Sequence, residues 1–216
     1  MHFPTGGQGS STGLLDAVNL GWKLALTVRG SAGEGLLDTY DQERRPAAQR
    51  VVDNTRAQLA LMRPGAELDP LRELFGDLLS RGAENSRLGA MISAQDTVLP
   101  CRTGHSSAWE GRFLRNVPLT TGEGPTDVIG LLRGGRPVLL LLGERGSRYA
   151  EQVRGWSGSL RVVHAAPAPE ISCDALLVRP DGCIAWAPDG DELASALTAY
   201  LGPGRATGRG RVPALS

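Results

Sequence analysis

The 216 residues carry 23 Lys+Arg against 23 Asp+Glu, a formal net charge of zero, so no global field steers the chain toward nucleic acid or an anionic membrane surface. Three cysteines, Cys101, Cys173 and Cys183, form no C-x-x-C pair and no zinc spacing, which reads as reduced core thiols and no metal site. No window reaches the ~18 apolar residues of a membrane span, and the loop-like N-terminus lacks a signal peptide's basic n-region, so a cytoplasmic, soluble chain is expected. The chain opens with Pro4-Thr5-Gly6-Gly7-Gln8-Gly9, a glycine-rich loop, running into an apolar helix over about 12–28. Ser10, Ser11 and Thr12 offer N-cap side chains at the junction. Leu14, Leu15, Val18, Leu20, Trp22, Leu24 and Leu26 fall on nearly every face of that helix, which predicts a buried one. Glycines allow close approach of a ligand, and the helix N-terminus presents free N–H groups and partial positive charge.

The same stretch, PTGGQG-x-x-TGL-x-DA-x-NLGWKLA, resembles the C-terminal flavin motif of the class A FAD-dependent aromatic monooxygenases, the p-hydroxybenzoate hydroxylase-like family. It is most similar to the bacterial hydroxylases that tailor aromatic polyketides. His2, Pro4 to Gly9, Thr12, Gly13, Leu14, Asp16, Ala17, Asn19 and Leu20 to Ala25 fall on the pattern. The resemblance implies that Pro4, Gly6, Gly7, Gln8, Gly9, Ser10 and Ser11 bind the pyrimidine edge of the isoalloxazine through backbone N–H groups. Ser10-Ser11 stand where the family usually has Leu-Asn. The family's upstream Gly-Asp motif and its G-x-G-x-x-G dinucleotide fold have no counterpart here, so the chain resembles roughly the last two-fifths of such an enzyme.

Leu37-x-x-Tyr40-x-x-Glu43-Arg44-Arg45-Pro46 follows at the family's distance. Pro46 predicts a break and a new helix starting at it. That helix carries Val51, Val52, Thr55, Leu59 and Met62 on one face. Arg44 and Arg45 read as ion-pair partners of Asp41, Glu43 or a neighbouring domain rather than as phosphate ligands. Asp69-Pro70 starts another helix, with Leu71, Leu74, Phe75, Leu78 and Leu79 in one stripe. Asn85 or Ser86 caps a short helix whose Met91 and Ile92 face core or pocket. Residues 100–116 read as a polar linker. His105 within it reads as an exposed loop histidine, and Ser106 and Ser107 lack the G-x-S-x-G of a hydrolase.

From residue 117 an α/β module is expected. It has a strand at 117–119, a helix capped by Thr126 and a buried strand at 137–142. A helix capped by Ser147, strands at 160–164, 173–178 and 183–186, and a last helix at about 190–201 follow. Pro180-Asp181-Gly182 turns the last hairpin. The order resembles the thioredoxin-like C-terminal domain of the polyketide hydroxylases, and CDALLVRPDGCIAW is similar to their hairpin there. Gly143-Glu144-Arg145-Gly146-Ser147 holds no cysteine pair where a thioredoxin would need one.

The expected fold class is therefore α/β: a helical remnant of a flavin-binding domain at 1–99, a linker at 100–116, a thioredoxin-like domain without active cysteines at 117–201, and a disordered tail at 202–216. The expected function is the C-terminal portion of a FAD- and NAD(P)H-dependent aromatic hydroxylase, inactive without an N-terminal FAD-binding half. Its expected partners are an aromatic small-molecule substrate, that half, or a second copy. No side chain here is expected to act as acid or base, since the flavin supplies the oxygen chemistry. The alternative is a flavin-free scaffold protein docking on an intact hydroxylase.

Overall fold

The computed structural model describes residues 7–80, 83–104 and 107–204, with the side chains of 83–87 excepted. The expectations for His2, Pro4, Gly6, His105, Ser106, the Asn85 and Ser86 caps and the tail from 205 onward lie outside the described residues.

The opening helix, α1 (Gln8–Val28), begins four residues before the expected 12. The reason is Gly7, which takes the left-handed conformation at φ 67° and ψ 8° and turns the chain directly into the helix. The cap position thus belongs to a residue without a side chain. Ser10 and Ser11 lie exposed in the first turn, and the Thr12 hydroxyl donates back to the Gln8 carbonyl at 2.8 Å. The expectation of a helix buried all round is also corrected. Only Gln8, Asn19, Trp22, Lys23 and Leu26 are buried, while Leu14 and Val28 are 68% and 79% exposed. One face of α1 packs on the core, and its other apolar faces meet nothing that covers them among the described residues.

The second helix, α2 (Thr39–Met62), runs unbroken through Pro46. Pro46 lies on the exposed side together with Gln42, the residue whose carbonyl loses its partner, so solvent takes that hydrogen bond. The Arg72 guanidinium closes the far end of α2 by donating to the carbonyls of Leu61 and Gly65 at 2.8 and 3.3 Å. Helix α3 (Asp69–Ser80) carries the expected apolar stripe, but none of its residues is buried. Helix α4 (Ala83–Ile92) returns toward the start of α1.

The rest is one mixed six-stranded sheet built from β1 (Pro118–Thr121), β2 (Gly124–Asp127), β3 (Val138–Leu142), β4 (Arg161–Ala165), β5 (Ala175–Val178) and β6 (Ile184–Trp186), in the order β2-β1-β4-β3-β5-β6. The run VLLLL forms the central strand, β3, buried at every position. It pairs parallel with β4 and antiparallel with β5. Alternation sends Leu139 and Leu141 to one core and Val138, Leu140 and Leu142 to the other. Helix α5 (Val128–Leu132) is capped by Asp127, which accepts from Gly130 N–H at 2.6 Å, and not by Thr126, which lies in β2. The helix expected at 147–156 is a short α6 (Gly143–Gly146) continued by two 3-10 segments. Gly146 sits so close to β3 and to Asp174 that a Cβ there would lie 2.5 Å from the Asp174 carbonyl oxygen.

Helix α7 (Leu193–Leu201) closes one face of the sheet, and Trp22, Leu26 and Leu36 share that core with Leu139, Leu177, Leu197 and Tyr200. The stretch read as a linker hydrogen-bonds along β6, with Ile184 N–H donating to the Arg112 carbonyl and Leu114 N–H to the Gly182 carbonyl, each at 2.9 Å.

Candidate functional site

Two places combine polar chemistry with burial. The first is the start of α1. Gln8 is 4% exposed. Its Oε1 accepts from Asn54 Nδ2 at 2.7 Å, and its Nε2 donates to the Ile92 carbonyl at 3.4 Å. The side chain thereby pins α1 to α2 and α4, leaving its backbone N–H as its only group for a ligand. Among the described residues no side chain caps the first turn, so the N–H groups of Gln8, Gly9 and Ser10 sit at a positively polarised end. A Cβ built on Gly7 or Gly13 would meet no atom within 4 Å, so the approach is open. A cavity of about 230 Å³ begins beside this turn, lined by Gln8, Thr12, Leu15, Arg44, Val51 and Met91 among others. Of the two residues expected to face core or pocket, Met91 lines the cavity and Ile92 contributes its carbonyl to Gln8.

The two arginines singled out in the sequence, Arg44 and Arg45, are both paired. Arg44 Nε lies 2.6 Å from Asp16 Oδ1, and Arg45 Nη2 lies 2.8 Å from Asp41 Oδ1. Arg45 thus pairs with the expected Asp41, whereas Arg44 pairs with Asp16 on α1, a partner not expected from sequence.

The second place was not apparent from sequence. Three separate stretches, Asn19 to Lys23, Glu43, and Arg179 to Asp181, meet in a buried ionic cluster. Glu43 accepts from Lys23 Nζ at 2.9 Å, Asn19 Nδ2 at 2.7 Å, and Arg179 Nη1 and Nη2 at 2.9 and 2.8 Å. Asp181 accepts from Arg179 Nη2 at 2.6 Å, and from Asn19 Nδ2 and the Trp22 indole N–H at 3.1 Å each. The Arg179 guanidinium also lies 5.1 Å from the centre of the Trp22 ring and 5.8 Å from that of Tyr200. Burial would raise the Glu43 pKa, but the bonds and charge of Arg179, joined by Lys23, hold it down at about 2. Burial pushes the Lys23 ammonium down despite Glu43. For Arg179, burial is outweighed by Asp181 and Glu43, and its pKa rises.

Two cations here face two anions, and a carboxylate held at about 2 accepts no proton near neutrality. The cluster therefore holds elements together and is not an acid–base centre. Its members fall in three of the motifs noted in the sequence, but nothing in the sequence brings those motifs together.

Among the described residues no three His, Cys, Asp or Glu gather as metal ligands, and no helix is long and apolar enough to cross a membrane. Burial pushes the Cys173 thiol up to about 11 and the Cys183 thiol up to about 12, the reverse of an activated thiol.

Residues 1–55 match the family model of a FAD binding domain, and residues 107–204 match that of the aromatic-ring hydroxylase C-terminal domain. The 12-dehydrotetracycline 5-monooxygenase/anhydrotetracycline 6-monooxygenase of Streptomyces rimosus is 41% identical over 212 residues, covering 94% of this chain and 42% of its own length. The dialkyldecalin synthase of Streptomyces rugosporus is 41% identical over 201 residues, covering 93% and 39%. Among solved structures, the anhydrotetracycline hydroxylase OxyS from Streptomyces rimosus superposes with a TM-score of 0.87 at 40% identity, over 94% of this chain and 43% of that one. The chain spans about two-fifths of the length of the curated relatives it matches.

Proposed function

This chain belongs to the family of FAD-binding aromatic-ring hydroxylases, and we propose on that premise that it forms the flavin-ring side of a NAD(P)H-using monooxygenase acting on an aromatic, polyketide-like substrate. The observation that carries this reading is the open first turn of α1 beside an apolar-walled cavity. The N–H groups of Gln8, Gly9, Ser10 and Ser11 would face the pyrimidine edge of the ring, with Pro4, Gly6 and Gly7 shaping the loop before them. Donors fixed there stabilise negative charge on that edge without reorganising. Bound FAD would supply the redox and oxygen chemistry, and the chain's own residues supply position and field. Leu15, Val51 and Met91 offer apolar walls to a flat ring, and no side chain near them need carry a proton.

The remaining contacts to FAD, those of a dinucleotide fold, would come from outside these 216 residues. We read the C-terminal sheet as a thioredoxin-like module serving packing, with the division at 1–99, 100–116 and 117–201. A second copy is a further candidate partner.

The test is to add the FAD-binding portion of the tetracycline relative to this chain. A few ring hydrogen bonds at roughly 1 kcal/mol each correspond to no better than about millimolar affinity, so the 216-residue chain alone is expected to be colourless. The mixture is expected to hold FAD and to oxidise NADPH. Ser10→Pro is expected to weaken FAD binding about fivefold, since the first turn of a helix tolerates proline but loses one donor worth roughly 1 kcal/mol. A mixture that stays colourless would overturn this reading and favour a flavin-free scaffold. A mixture that holds FAD without consuming NADPH would overturn the monooxygenase step alone, leaving a non-redox role like that in the name of the synthase relative.

A further inference from the structure

We propose that the β5–β6 turn, through Arg179 and Asp181, is a positioning element that sets where the first turn of α1 stands. What that turn is positioned for rests on the flavin reading above; the positioning itself does not.

Between Gln8 and Asn19 none of the residues of α1 is buried. The helix is therefore fixed at one end by Gln8, partway along by the Asp16–Arg44 ion pair at 2.6 Å, and over its second half by Asn19, Trp22, Lys23 and Leu26. Two of these, Asn19 and Trp22, donate directly to Asp181, and Lys23 reaches the same Glu43 that Arg179 grips with two nitrogens. The turn thus takes hold of α1 and α2 together, at the level where both meet the sheet.

Leverage follows from length. Asn19 stands eleven residues from Gln8, an arm of roughly 16 Å at 1.5 Å per residue. A tilt of about 5° about the cluster moves the first turn by roughly 1.4 Å, the scale at which misplacement costs on the order of 10²-fold in a positioned site. The cluster's chemistry suits direction rather than mere adhesion. Apolar side chains of similar volume would hold the same surfaces without desolvating four charges. Only a two-pronged guanidinium and a shared carboxylate fix an orientation as well.

The experiment uses the full chain and three variants, Asp181→Asn, Trp22→Phe and Arg179→Lys, each of which removes part of the cluster's grip on α1. Amide hydrogen exchange is read at residues 12–18 of α1 and at 138–142 of β3. The expected result is exchange at least about tenfold faster at 12–18, and by a larger factor there than at 138–142. In the chain reconstituted with the FAD-binding portion, the same variants are expected to weaken FAD binding about tenfold, in the order of their exchange effect. Unchanged exchange at 12–18 in all three variants overturns the proposal. Equal acceleration at 138–142 also overturns it, because the cluster would then only hold the fold together. If the parent chain fails to bind FAD when reconstituted, the flavin reading falls while the exchange comparison still decides the positioning claim.

Discussion

Arg179 meets Glu43 as a two-pronged ion pair, Nη1 to Oε1 at 2.9 Å and Nη2 to Oε2 at 2.8 Å, across 136 positions of sequence. Lys23 and Asp181 complete the set, so two positive and two negative groups share a site from which water is excluded. Such a set is costly to break and nearly neutral to replace whole.

Glu43→Gln removes one anion from between two buried cations. It is expected to destabilise the chain by about 3–5 kcal/mol, or on the order of 10 °C in melting temperature for a chain of this size. Replacing Lys23, Glu43, Arg179 and Asp181 together by apolar residues of like volume is expected to cost less than the single change. Urea unfolding of both variants checks the comparison.

Acid should act through the same residue. The Glu43 pKa falls from 4.5 to about 2 on folding, so the folded state binds its proton less tightly than the unfolded chain. That stabilisation is complete above about 4.5 and is lost as pH drops toward about 2, a loss of about 3 kcal/mol. Unfolding midpoints measured from pH 6 down to pH 2 are expected to fall for the parent and to stay flatter for Glu43→Gln.

Glu110 has the opposite sign. Burial pushes its pKa up, beyond what the Ala187 N–H and the Cys101 thiol recover. Its folded form keeps a proton that the unfolded form releases, so its contribution is full below the unfolded value and is lost as pH rises through the folded one. Glu110→Gln is expected to raise the unfolding midpoint at pH 7 and to leave it unchanged at pH 4.

Much of this was legible in the sequence, and the gaps have physical causes. The run at 138–142 announced a buried strand because nothing polar interrupts it. The Pro180-Asp181-Gly182 turn was legible from its residue types. The start of α1 was misread because the cap rules look for a side chain, and Gly7 caps by its backbone angles. Pro46 was misread because a helix can run through a proline on its exposed face, where the displaced carbonyl, here that of Gln42, can reach water. The ionic cluster was invisible because its members lie in three stretches, and nothing local to Lys23 says that Arg179 will share its carboxylate. Of the candidate site, the Gly7 to Ser11 turn stood out as a motif, whereas Asn54, which holds Gln8, carried no signal.

The exposed apolar residues of α1 predict self-association. Leu14, Val18, Leu24 and Val28 are each at least 45% exposed, and patches of this kind mark contact surfaces. The double substitution Leu14→Lys, Val18→Lys is expected to lower the mass seen by light scattering at high concentration. It should leave stability within about 0.5 kcal/mol, since neither side chain is buried. A parent chain that stays monomeric at all concentrations would contradict this.

The span between Asn19 and Asp181, 162 residues, also has a consequence in time. At about 5–20 residues per second on the ribosome, α1 emerges roughly 10–30 s before the carboxylate that takes its Asn19 and Trp22 side chains. Through that interval Lys23 and Glu43 can find each other, but the guanidinium that balances them has not been made. The first helix of this chain is thus among the last to reach its final place, and the nascent protein must shelter an apolar rod until its final hairpin arrives.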